Sequence, residues 1–401
     1  GRLFSGDIKE GDQVYLVGAK KGYRVQQVSM YMGAFREVVD HMDAGNIAAV
    51  LGLDQARAGE TLVDASLSDS MVPFERITYV SEPVVTIALE PKHPKDLPRL
   101  VDVMNRLSID DPNLVTTINK ETGEYLLSGM GELHLEIAIK FMKDYAPGLE
   151  VITSKPIVVY RETVSKPGII AMAKSPNKHN RFWVQIEPLE EKVIEMIESG
   201  DIDEVMGRRR MGDVLYQKAG WPVDEARNIW ALEEHRNILI DLTKGVQYMR
   251  DVRDMVISGF RWACQAGPLC EEPIRGVKVK IMDAQLHEDP VHRGPAQIMP
   301  AIRRAIFGSF LTANPILLEP IYRIQVSVPA EWVGQVSSLL TRKRGRILSS
   351  EQKGALLAVD GYIPVAETFG LAADLRSATS GHAFWQSQFD HWERVPESLA
   401  K

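Results

Sequence analysis

The chain has 401 residues, 45% apolar and 25% charged, with a formal net charge of −7, which describes an ordinary globular protein of about two to four domains. The acidic balance excludes a body coated in basic surface for nucleic acid. No apolar run approaches the roughly 18–20 residues of a membrane span, and the opening "GRLFSGDIKE" lacks a signal-peptide pattern, so no membrane partner and a cytoplasmic location are expected.

The first 75 residues read as β throughout. Short apolar runs in "RLFSGDIKEGDQVYLVG" and "AGNIAAVLGLDQARAGETL" are punctuated by Gly11, Gly45, Gly52 and Gly59, the pattern of a small β-barrel. From Val80 the period changes. "VVTIALEP" alternates as a strand, and "KDLPRLVDVMNRLSIDD" places Leu97, Leu100, Val101, Met104 and Leu107 on one helical stripe, with Asp96 at the N-cap and Pro98 in the first turn. A hairpin follows around Glu121-Thr122-Gly123. A second helix then carries Leu133, Ile137, Phe141 and Tyr145 at four-residue intervals, and "LEVITS" closes with a strand. This β-α-β-β-α-β order over 80–155 specifies a ferredoxin-like sandwich.

The same order recurs over 319–395: a strand at "IYRIQVSVP", a helix carrying Val333, Val336, Leu339 and Leu340, two strands in "RILSSEQKGALLAVDGYIPV", a helix at "AETFGLAADLRSATSG" and a last strand at "HAFWQSQFDHWE". Between the sandwiches lies a larger piece, 156–318. Its strands are read at "PIVVYRETV", "RFWVQIEPL" and "IRGVKVKIMDAQLH", and its helices at "EEKVIEMIESG", "KGVQYMRDVRDMVISGFRWACQAG" and "PAQIMPAIRRAIFGSFLTA". The expected fold class is multidomain α+β: a small β-barrel, then two ferredoxin-like βαββαβ sandwiches flanking a larger α+β domain.

Two loops of the middle piece concentrate polar, cationic and turn-forming residues where strands end: "KSPNKHNR" (Lys174 to Arg181) and "HEDPVHRGP" (His287 to Pro295). Other cationic clusters occur at "GRRR" and "TRKRGR", and such groups beside aromatics and glycines suit selective phosphate contact. Three uses compete for His292, besides that of a solvated histidine with no role. A metal site needs a third ligand, and the i, i+5 pair of His287 and His292 with Pro290 between them fits neither helical nor hairpin spacing. For acid/base chemistry Asp289 could orient His292, yet no nucleophile elbow or cofactor fingerprint lies nearby. The third use is a rigid contact loop, stiffened by Pro290 and Pro295. Cys264 and Cys270, in "CQAGPLC", lack the tight C-x-x-C pairs of zinc sites and read as plain thiols.

"SPNKHNR", "LTKGVQYMRDVRDMV", "GPLCEEPIRGV", "DAQLHEDPVHRGPAQIMPAIRR" and "FGLAADLRSATSGHAFWQSQFDHWE", with "LSIDDP", "LSGMGELHLEI" and "VVYRETV", resemble the C-terminal half of the elongation factor 2 family, the ribosomal translocases of archaea and eukaryotes. The resemblance covers essentially the whole chain, and the compact stretch between "GWPVDEARNIW" and "LTKGVQYM" is similar to the archaeal form. It implies that His292 is the histidine converted to diphthamide by a dedicated pathway. It further implies that Lys174, Pro176, Asn177, Lys178, His179, Arg181, His287, Asp289, Arg293 and Gly294 form a tip that meets the tRNA–mRNA helix in the decoding centre. The implied partners are the ribosome, with its RNA and proteins, A-site tRNA and mRNA, and the diphthamide-synthesis enzymes, all met by a monomer. Where eukaryotic members carry three glycines after His-Arg, this chain has Gly294-Pro295-Ala296.

No G-x-x-x-x-G-K-[ST] occurs in the sequence, and "INKETG" is not the guanine-reading N-K-x-D. The chain is therefore expected to be no enzyme by itself and to hold no cofactor, with no metal site and no catalytic residue. GTP and magnesium would belong to a GTPase domain elsewhere in a longer parent. The alternative is a paralogous ribonucleoprotein GTPase of spliceosomal or ribosome-maturation type.

Overall fold

The computed structural model describes residues 1–68, 70–74, 83–118, 124–203 and 206–399, and the chain divides into two compact units, Gly1–Ile157 and Val158–Lys401. The turn expected at Glu121-Thr122-Gly123 lies outside the described residues. Among the described residues no helix is long and apolar enough to cross a membrane.

The first unit opens with eight short strands: β1 (Asp7–Lys9), β2 (Gln13–Leu16), β3 (Lys21–Arg24), β4 (Gln27–Met32), β5 (Phe35–Val39), β6 (His41–Asp43), β7 (Ala49–Leu51) and β8 (Leu62–Asp64). They pair as β1-β6, β3-β2-β8 and β5-β4-β7. Ile8, Val14, Val25, Val28, Met42 and Ala48 form one shared core. The expected barrel is thus three small sheets around that core. The second part contains β9 (Val85–Pro91), α1 (Leu97–Asp110), β10 (Val115–Ile118), β11 (Tyr125–Gly129), α2 (Glu132–Tyr145) and β12 (Val151–Thr153), with the strand path β10-β11-β9-β12. The α1 stripe faces inward at Leu100, Met104 and Leu107. Asp96 stands at the N-cap without a capping hydrogen bond, its carboxylate lying instead by Arg99.

The α2 stripe differs from expectation. Leu133, Ile137, Phe141 and Tyr145 are exposed, and the helix buries Leu135, Ala138 and Met142. Four-residue spacing identifies a face but not its direction. Leu133 and Phe141 therefore lie on the wet side of a helix whose core contacts come from Leu135, Ala138 and Met142.

In the second unit, after the two-residue β13 (Ile157–Val158), β14 (Arg161–Val164) was expected to open the middle domain. It pairs instead with β20 (Pro315–Val328), so that Arg161 to Val164 run antiparallel to Leu318 to Pro315. The boundary read at 318/319 consequently falls inside one 14-residue strand. The rest of that sheet comprises β21 (Arg346–Lys353), β22 (Leu356–Pro364) and β23 (Phe384–Arg394), ordered β14-β20-β22-β21 with β23 on the other flank of β20. The helices that follow β20 and β22 are here labelled α8 (Val333–Arg342) and α9 (Leu371–Ala378). Ile324, Val326 and Val328 face inward, as their alternation requires.

The middle sheet has the order β15-β16-β19-β18-β17, from β15 (Ala171–Lys174), β16 (Arg181–Pro188), β17 (Ile229–Glu233), β18 (Asn237–Asp241) and β19 (Val277–Gln285). On one face lie α6 (Arg253–Gln265) and α7 (Pro295–Phe310), packed on Phe182, Val184, Ile186, Leu239, Val279 and Ile281. On the other lie α3 (Glu191–Glu198), α4 (Arg208–Val214) and α5 (Val223–Arg227), packed on Ile238 and Ile240. The sequence-based reading contained neither β15 nor the β17–β18 hairpin. It also began α6 at Lys244, where the structure has turns up to Val252. α6 and α7 approach closely at Gly259, where a Cβ would stand 3.0 Å from Met299 Cα and O.

Candidate functional site

β15 ends, β16 begins and β19 ends at the same edge of the middle sheet, because β16 is antiparallel to both neighbours. The two loops singled out by composition are thereby brought side by side. Lys174 and Arg181 pair across the base of the first loop. Lys178 at its apex has φ 66°, a left-handed conformation unusual for a residue with a side chain.

Hydrogen bonds lock this loop from within. The Ser175 hydroxyl donates to Asn177 Oδ1 at 2.6 Å and accepts from Asn180 N at 3.0 Å. The His179 amide donates to Asn177 Oδ1 at 3.1 Å. The same residues clamp the second loop: Asn177 Nδ2 and Asn180 Nδ2 both donate to the His292 carbonyl, at 3.0 and 2.8 Å. Asn180 Oδ1 accepts from the His287 amide at 3.1 Å, and Gln297 Oε1 accepts from the Asn177 amide at 2.8 Å. Within the second loop Asp289 Oδ1 accepts from Val291 N, and His287 Nδ1 accepts from Asp289 N. Pro290–Arg293 form a 3-10 turn, and Gly294 is the N-cap of α7 with Pro295 in its first turn. The 16-residue α7 thus aims its partially positive end at the tip.

This clamp collects three imidazoles. The ring centroids of His179, His287 and His292 stand 4.6 to 4.9 Å apart, at interplanar angles of 42° to 83°. His179 is exposed and the other two are half-buried. Two of these contacts are edge-on and the third is tilted, so the cluster offers ring faces as well as ring nitrogens to a partner. Among the described residues Glu233, Glu234 and His235 are the group whose donor atoms converge, and the His235 ring there already bonds Glu233 at 2.7 Å.

The expected tip residues divide in two. Lys174, Pro176, Lys178, His179 and Asp289 are exposed, while Asn177, Arg181, His287, His292 and Gly294 are half-buried. Arg293, expected as a contact residue, is 5% exposed, lies 4.1 Å over the Tyr248 ring and pairs with Asp251 at 3.3 Å. It anchors the loop from below. Ser175, Asn180 and Gln297, absent from the expected set, do the holding. Their signal in the sequence is the S-P-N turn spacing and the amide-bearing residues at the loop ends, which mark side chains that bond local backbone.

Family models match along the chain: "Elongation factor Tu domain 2" over residues 1–63, "Elongation Factor G, domain III" over 80–155, "Elongation factor G, domain IV" over 201–314 and "Elongation factor G C-terminus" over 316–401. The chain is similar throughout to proteins named elongation factor 2: 53% identical over 399 residues to that of Staphylothermus marinus, 52% to that of Metallosphaera sedula and 51% to that of Saccharolobus islandicus. Each match covers 100% of this chain and 54% of the relative, so the chain spans about half the length of the curated relatives it matches.

Proposed function

Because the chain belongs to the elongation factor 2 family, we propose that it is the ribosome-binding part of a GTP-dependent translocase that moves tRNA and mRNA through the ribosome. Its four sections correspond to a translation-factor barrel domain (1–75), a ferredoxin-like domain (80–155), a tip-bearing domain (156–318) and a second ferredoxin-like domain (319–395). The double loop is a stiff finger for the decoding centre, and His292 is its diphthamide residue. The observation that carries this reading is the clamp of Asn177 and Asn180 on the His292 carbonyl, which holds a ring cluster and exposed cations at one end of a rigid sheet. Exposed RNA bases and phosphates call for planar surface and positive charge held without flexible linkers.

GTP and magnesium act in a domain that these 401 residues do not contain, so hydrolysis is not a property of this chain alone. The partners are ribosomal RNA and proteins, the tRNA–mRNA helix and the diphthamide-synthesis enzymes, met in the cytoplasm by a monomer. The spliceosomal or maturation paralogue is not favoured, since the relatives are elongation factors.

Chemical probing of ribosomes bound by the full-length factor tests this. Protection of decoding-centre nucleotides that disappears with Lys178→Ala/His179→Ala is expected. Protection elsewhere only, or no binding, overturns it.

A further inference from the structure

We infer that the α6–α7 face of the middle domain is a second RNA-contact surface, separate from the tip, which grips an RNA strand through arginines stacked on tryptophans. The inference rests on the ribosomal reading above and adds to it a distinct surface. Two guanidiniums carry it. Arg253, the first residue of α6, lies 5.4 Å over the Trp230 ring of β17. Arg303 of α7 lies 4.3 Å over Trp262 of α6 and 4.9 Å over Phe307. Both are half-buried, and the Nε of each is fully shielded from solvent with no acceptor. Neither side chain has a hydrogen bond or ion pair among the described residues.

Two unneutralised arginines are unexpected in a chain of net charge −7, where carboxylates are in excess. Here the local balance is reversed. Residues 244–265 and 295–310 hold the cations Lys244, Arg250, Arg253, Arg261, Arg303 and Arg304 against the acids Asp251 and Asp254, six against two. A half-buried guanidinium without a counter-ion forfeits interaction energy in the isolated protein, and a phosphate recovers it, because the ring beneath fixes the fork at little further entropy cost. The stacks flank α6, whose outer crest carries Arg261 and Trp262, the latter 38% exposed. Beside Trp230 lies a cleft of about 360 Å³ lined by Asp254, Ile257, Ser258, Arg261, Arg208 and Met211. Its volume, its Trp230 wall and the two arginines that outnumber Asp254 in its lining fit an unstacked base with its phosphate. The partner is therefore RNA with an unpaired segment, a loop or bulge, in preference to an unbroken duplex.

The test uses the full-length factor, comparing wild type with Arg253→Gln/Arg303→Gln, which keeps both stems; circular dichroism and melting verify the fold. Affinity is measured for ribosomes, and for an RNA hairpin with an unpaired loop against a duplex of equal length, in a salt series. The double variant is expected to bind ribosomes and the looped hairpin about tenfold more weakly at low salt. Its log–log salt slope should be shallower by roughly 1.5, at about 0.7–0.9 per lost phosphate contact. A variant that matches wild type in affinity and slope overturns the inference while leaving the ribosomal reading intact. Weaker ribosome binding with unchanged hairpin binding also overturns it, pointing to an acidic protein partner. If wild type itself fails to bind ribosomes, the ribosomal reading falls, and the hairpin arm alone decides this one.

Discussion

Replacing Asn180 by alanine should release the His292 loop without unfolding the domain. Asn180 is fully buried, and its amide bridges Ser175, His292 and His287. The change removes two hydrogen bonds to the opposite loop, at about 1 kcal/mol each, and orphans the half-buried His287 N–H at about 1–3 kcal/mol. The His292 carbonyl keeps its bond from Asn177. Summed, the closed arrangement loses about 3–5 kcal/mol, but the loop can open to water, so the loss appears as local opening. Hydrogen exchange read by mass spectrometry on peptides covering residues 286–294 should then show the His287 amide exchanging about a hundredfold faster or more, at 1.4 kcal/mol per factor of ten. The global melting temperature should move by only a few degrees. Asn180→Asp is isosteric and keeps the acceptor for His287 N, but it sets a carboxylate oxygen against the His292 carbonyl and should accelerate exchange as much. Wild-type exchange at His287 in Asn180→Ala would refute the clamp.

Other substitutions separate packing from function. Gly259→Ala gains about 0.5–1 kcal/mol of helix propensity, but its Cβ would meet Met299 backbone at 3.0 Å, so a net loss of about 1–2 kcal/mol in denaturant unfolding is expected. Arg293→Ala should lower stability by about 2 kcal/mol, mainly through lost packing and stacking on Tyr248; reduced ribosome affinity at unchanged stability would instead return Arg293 to the contact surface. Burial pushes the Glu272 carboxyl up to about 7, against the opposing pull of Arg161. The unfolded chain releases this proton near 4.5 and the folded chain near 7, so this group's contribution to stability falls as pH rises through that window, by about 3 kcal/mol in total. Glu272→Gln should therefore raise the melting temperature at pH 8, and the gain should vanish toward pH 4; an equal gain at both pH values would contradict the buried-carboxyl origin.

The strand and helix order of both sandwiches was legible because Ile324, Val326 and Val328 or Leu100, Met104 and Leu107 repeat with the period of their element and face a core. Direction was not legible for α2, where the apolar spacing marks the exposed side. Nor was the partner of β14, since pairing with a strand some 150 residues later leaves no local trace. In the site, the loops stood out by composition and the family resemblance named His292. The division between Arg293 as buried anchor and Lys178 as exposed tip needed the fold, because both are cations flanked by turn residues. Asn180 was hidden for the same reason: its three partners come from two loops more than 100 residues apart.

The central claim is that the clamped, three-histidine tip is the modified fingertip of a ribosomal translocase. The most direct measurement is the mass of the tryptic peptide from Ile281 to Arg293, taken from protein purified out of its own host. A mass addition that fragmentation localises to the His292 ring is the predicted result. The unmodified peptide from that source would contradict it.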